Sequence, residues 1–116
     1  MLVYFARPIS NYKSLQDQRD LALLKQLGFE VVNPDKETYQ KEYLDLGMDV
    51  FLNEVKKCEI LVFRSFVDGN ISSGVFKEII AAQEADISIL ELPTITSKRV
   101  LSVEDTRAYL TLLGQR

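Results

Sequence analysis

Histidine is missing from all 116 residues of this chain. Its absence removes Ser-His and Cys-His nucleophilic catalysis, imidazole acid–base chemistry and His-ligated zinc. A single cysteine, Cys58, excludes an internal disulfide framework and leaves soft-metal ligation without a second ligand. Neither GxxxxGK[ST] nor GxGxxG occurs, so the two common glycine-rich phosphate cradles are excluded. No apolar run approaches the roughly 20 residues that span a bilayer. The start, "MLVYFARP", has no basic segment followed by a long apolar one, so no secretory leader is expected. Net charge is −3 and the pI is about 5.0, which is the wrong balance for an electrostatic nucleic-acid binder. Any catalysis must therefore use carboxylates, tyrosine, lysine, arginine, hydroxyls or the backbone. A reducing, cytoplasmic setting suits the cysteine usage.

The residues present describe an ordinary globular chain, 47% hydrophobic and 27% charged, and the length argues for one domain over 1–116. "LVYFA" (2–6), "FEVVNP" (29–34), "EILVFRS" (59–65) and "DISILEL" (86–92) read as strands. The third holds a continuous apolar run, the mark of a strand buried on both faces. "RVL" (99–101) reads as a short fifth. Helices are expected after Ser14, over 47–58, over 72–85 and after Ser102. Leu15, Leu23, Leu24 and Leu27 supply much of the first helix's apolar stripe, with Gly28 as its stop. In the second, Val50 or Phe51, Leu52 and Val55 point inward. Residues 35–46 read as loop or short helix. This alternation predicts an α/β chain, a single-domain Rossmann-like (flavodoxin-like) three-layer sandwich with a parallel sheet of four to five strands.

In such sheets ligands bind beyond the carboxyl ends of the strands. Three loops meet there: "ARPISNY", "NPDKETY" and "SFVDGNISSG". The helix leaving the third loop, "SSGVFKEIIAAQEA" (72–85), carries one residue out of phase. At 100° per residue from Val75, Lys77 and Glu84 share a solvated face, while Glu78 falls at about 300°, among alanines and Val75. Glu78 either snorkels from the margin of that face or stands there because a ligand approaches it. Near a helix N-terminus the dipole favours its ionised form, and an ionised, shielded carboxylate is a competent nucleophile for a sugar carbon. The "NISSG" turn likewise has two readings, plain N-capping or an anion site. Asp45, Asp49, Asp68 and Glu78 lack the spacing of a known cation loop, so neither a metal nor a cofactor is expected.

Three of these segments resemble one family. "VYFARPIS", "GFEVVNP" and "CEILVFRSFVDGNISSGVFKEIIAA" are similar, in combination and order, to the nucleoside 2-deoxyribosyltransferase family and its relatives that hydrolyse deoxynucleoside monophosphates. The resemblance covers residues 2–92. It implies cleavage or transfer at the N-glycosidic bond of a 2'-deoxynucleoside or its monophosphate. Glu78 would be the nucleophile, Tyr4 would orient it, and Ser72 would meet a phosphate. Arg7, Ser10, Ser73 and Gly74 are the other expected substrate contacts, and Asp68 or Asp49 would handle the base or a sugar hydroxyl. Three positions depart from the family pattern. Arg7 and Ile80 stand where glycines are usual, and Phe51 stands where an aspartate is. A non-catalytic nucleotide-binding or sensing domain is the alternative that Phe51 and Arg7 favour. The resemblance also implies a homodimer or larger assembly, and the aromatic, partly polar stretch 37–48, which does not look like core, puts Tyr39, Tyr43 or the helix at 47–58 in its interface.

Overall fold

The computed structural model describes residues 1–93 and 101–115. Strands β1 (Leu2–Ala6), β2 (Glu30–Val32), β3 (Ile60–Phe63) and β4 (Ser88–Glu91) form one sheet in the order β2-β1-β3-β4. All pairings are parallel, with Tyr4 beside Val32 on one side and Leu61 on the other. Helices α1 (Leu15–Gln26), α2 (Glu37–Leu46), α3 (Asp49–Lys56), α4 (Ser73–Glu84) and α5 (Val103–Leu112) complete the element order, with one 3-10 turn at Ile9–Asn11. This is the parallel α/β sandwich that the alternation predicts. The fifth strand expected at 99–101 falls outside the described residues, except for Leu101, which is exposed and in no strand. No helix among the described residues is long and apolar enough to cross a membrane.

Strand alternation divides the core. Tyr4, Ala6, Leu61 and Phe63 pack with Phe51 and Val55 of α3 and with Val75, Ile79 and Ala82 of α4. Val3, Phe5 and Val62 pack on the opposite face with Leu24 of α1. Central β1 and β3 are thus buried on both faces, as the unbroken apolar runs require. The outer strand β4 is mostly exposed. Hydroxyl caps start three helices: Ser14 accepts from the Asp17 N–H, Ser72 from Val75 and Ser102 from Asp105. Gly28 ends α1 at φ +87°, a left-handed turn that glycine tolerates without strain.

Residues 37–46 form a helix, the second of their two readings. Two other readings need correction. Helix α3 is shorter than expected, at Asp49–Lys56. In α1, Leu15, Leu23 and Leu27 are exposed, and the buried residues are Asp17, Asp20 and Leu24. Arg7 and Arg64 draw those aspartates inward. Each guanidinium closes a fork on its carboxylate, at 2.7 and 3.0 Å for Arg7–Asp17 and at 2.6 and 2.9 Å for Arg64–Asp20. Both arginines follow a central strand directly. The two pairs pin α1 across the carboxyl ends of β1 and β3, where the loops of the candidate site begin.

Candidate active site

A cleft of about 460 Å³ opens beyond the carboxyl ends of β1 and β3. The β1 loop contributes Arg7 through Ser10 and Tyr12, the β2 loop Pro34, and the β3 loop Phe66. Ser72, Ser73, Gly74, Val75, Lys77 and Glu78 enter from the start of α4. Gln40 and Tyr43 of α2, with Met48 and Phe51, complete the wall.

Glu78 is only 6% exposed yet lines this cleft. It sits in the second turn of α4, and its neighbours Val75, Ala81 and Ala82 are themselves buried. Burial pushes its carboxyl up from 4.5 to about 7; a hydrogen-bonding influence from Tyr4 and the charge of Arg7 act the other way. The helix dipole was expected to keep this group ionised, but desolvation outweighs it. The Tyr4 hydroxyl lies beside Glu78, near enough to hold down its proton affinity, but no hydrogen bond of good geometry closes at that hydroxyl. Burial first, and then the Glu78 charge, push the Tyr4 phenol far above its ordinary value.

An unpartnered hydroxyl in a dry interior is costly, so Tyr4→Phe should change stability by no more than about 1 kcal/mol. It should also raise the midpoint of any Glu78-dependent activity, because the neighbouring hydroxyl that holds down the proton affinity of the carboxylate is gone. Thermal melts with a pH–rate profile check both. A large stability loss, or an unmoved midpoint, would deny the pairing.

Arg7 lines the cleft, but its guanidinium is largely committed. Besides Asp17 it donates to the Phe5 carbonyl at 3.2 Å and to the Asn33 side chain at 2.8 Å. It also stacks between the rings of Phe5 and Tyr12, 4.7 and 4.5 Å from their centroids. Four hydrogen bonds therefore occupy a fork of five N–H groups, and Asp17 neutralises the charge. Arg7 acts here as a loop clamp rather than a free phosphate ligand. Its place at the end of β1 gives the glycine-free first loop a fixed shape.

Other expected residues divide clearly. Ser10, Ser72, Ser73 and Gly74 reach the cleft. The Ser72 hydroxyl is partly spent on the Val75 N–H at 3.3 Å, and the Ser73 and Gly74 N–H groups belong to the helix's unsatisfied first turn. Asp68 and Asp49 do not line the cleft. Asp68 is exposed and holds the Asn70 N–H and side-chain amide at 2.9 Å, and Asp49 is exposed in the first turn of α3. Loop 66–72 tightens on itself around Asp68, and α3 turns Phe51 inward instead of Asp49.

Residue-by-residue reading overlooked Tyr12, Gln40, Met48, Phe66 and Lys77. Tyr12 and Phe66 were legible as loop residues at strand ends. Lys77 reads as a solvated helix residue and is one, but its place one residue before Glu78 puts it at the cleft. Phe51 stacks on Tyr43 with ring centroids 5.3 Å apart, making an aromatic wall. Among the described residues no group of three or more Cys, Asp or Glu side chains is arranged to hold a metal ion. No protein-family model matches the chain, and no curated protein matches it.

Proposed function

We propose that the protein cleaves the N-glycosidic bond of a nucleoside or nucleotide, with Glu78 attacking the anomeric carbon. The observation that carries this reading is a buried carboxylate opening into an aromatic cleft of nucleoside size, with a tyrosine hydroxyl beside it. Tyr4 positions the carboxylate. Tyr43 and Phe51 offer π faces to a base. Ser72, Ser73 and Gly74 at the start of α4, with Lys77, form the end suited to a 5'-phosphate. The sequence resemblance names the same glutamate and tyrosine and makes 2'-deoxynucleosides and their monophosphates the first substrates to try. Hydrolysis and transfer differ only in whether water or a second base takes the glycosyl group.

Incubation with deoxynucleosides and their monophosphates, with and without a second free base, should release base on a chromatogram. Tight nucleotide binding without release would favour a sensing domain instead. Phe51, with no second carboxylate lining the cleft, is the feature that supports that alternative.

A second copy of the chain is proposed to complete the cleft. Helix α2 has no buried residue, and Leu44, 83% exposed, and Leu46 lie on the same helix as the cleft residues Gln40 and Tyr43. A glycosyl-enzyme needs shielding from stray water if it is to transfer. Sedimentation at micromolar concentration should show a dimer or larger species. A 13.3 kDa particle would rule out a shared site.

A further inference from the structure

Carboxylate-based glycoside cleavage ordinarily uses two acids, one attacking the sugar and one protonating the departing group. Within one copy of the chain this cleft has only the first. Among the described residues Glu78 is the sole acidic side chain lining it. Asp17 and Asp20 are closed into their arginine pairs, and Asp49 and Asp68 lie outside. The Tyr12 phenol, which does line the cleft, is pushed up to about 12 by burial, and Tyr4 lies higher still, so neither gives up a proton readily near neutrality. Lys77 is exposed on α4, at the end where an anion is expected. The rest of the wall includes Met48, Phe51 and Phe66, which carry no acid, and Tyr43, whose ring stacks on Phe51.

We infer that the leaving group is one that departs without receiving a proton, an N-glycosylated cationic aromatic ring of the pyridinium type, carried as a nucleoside or 5'-monophosphate. This deepens the N-glycosidase reading and rests on it. The electron count closes without an acid. The Glu78 carboxylate forms a bond to C1' as the C1'–N⁺ bond breaks, and that bond's electron pair returns to the ring nitrogen. The base leaves neutral. Water then forms a bond to C1', the ester bond breaks and restores the Glu78 carboxylate, and one proton passes to solvent. The net products are the sugar, the neutral base and a proton.

The binding surfaces agree with that charge pattern. A cationic ring is attracted to the faces of Tyr43, Phe51 and Phe66, and it pairs with the Glu78 carboxylate and favours its ionised form. Lys77 and the first turn of α4 take the anionic end. The cleft thus offers one carboxylate beside π faces at the ring end and positive polarity at the phosphate end.

Nicotinamide riboside and its 5'-monophosphate are the probes, set against 2'-deoxyuridine, 2'-deoxyadenosine and their monophosphates. Base release is followed by chromatography at pH 8, and each rate is divided by the uncatalysed rate of the same compound. The pyridinium compounds should show an enhancement larger by about 10² to 10⁴, the usual worth of a general acid that neutral substrates would need. Across ring-substituted pyridinium ribosides the rate should climb steeply as the departing base weakens. Equal enhancement for neutral deoxynucleosides would overturn the leaving-group inference and leave the glycosidase reading standing. No release from any compound would overturn both. Undiminished release by a folded Glu78→Gln variant would remove the nucleophile on which both depend.

Discussion

Glu78→Gln should lower base release by about 10³-fold or more, the scale on which an attacking group is lost, while the protein stays folded. The substitution is nearly isosteric and leaves the packing of Val75, Ala81 and Ala82 untouched. Its effect on stability runs in the opposite direction. The wild-type carboxyl stands near 7 in the folded chain against an ordinary 4.5. Folding therefore favours the protonated form. The associated stability is fully present below about 4.5 and is lost as pH rises through about 7. That difference is worth about 3 kcal/mol. Urea denaturation should show variant and wild type alike near pH 4, and the variant more stable near pH 8. Wild-type kcat/KM should rise about tenfold per pH unit below 7 and level off above it, for a substrate that does not titrate there. A flat profile, or a variant that is fully active, would end the nucleophile proposal.

Asp17→Ala should cost about 3–5 kcal/mol, the larger of the expected stability effects. Arg7 is 2% exposed, and the change strips the carboxylate from a largely dehydrated guanidinium. It also frees the Lys13 N–H, which donates to Asp17 at 3.0 Å. Against a total stability of about 5–15 kcal/mol this is a large fraction. The double change Arg7→Met with Asp17→Leu should recover most of it, because the buried charge goes with its partner. A double-mutant cycle by urea denaturation measures the coupling. Loss below about 1 kcal/mol for Asp17→Ala would show that Arg7 finds water or another anion, and that the first loop is not clamped as described.

Local patterns carried the elements a long way. The continuous apolar run within 59–65 can be covered only by burial on both faces, so β3 was legible as a doubly buried strand, and β1 was legible as central from the α/β topology. Ser14, Ser72 and Ser102 each offer an oxygen to a first-turn N–H, so three helix starts were legible too. Glu78 was legible as an anomaly because helical phase alone places it among alanines. The protonation of Glu78 was not, since the dipole is local to α4 while desolvation depends on every element packed around it.

Tertiary structure decided the remainder, and the reason is range. Periodicity reports a side chain's polarity but not its partner. Leu15, Leu23 and Leu27 looked like the inner stripe of α1 because nothing nearby reveals that Arg64 lies 44 positions from Asp20 and reaches it. Once two guanidinium forks meet two carboxylates, the polar face turns inward and the leucines turn out. The same pairing withdraws Arg7 from the free cations. Asp49 and Asp68 suit a site by type, but the phase of α3 and the local closure of the 66–72 loop hold them away from it. Phe51, a departure in the sequence pattern, becomes part of the wall because α3 packs against β1, β3 and α4 with that residue 7% exposed. The sequence by itself determined the strands, the caps and the odd glutamate. Contacts between residues far apart in the chain decided which charges remain available to a ligand.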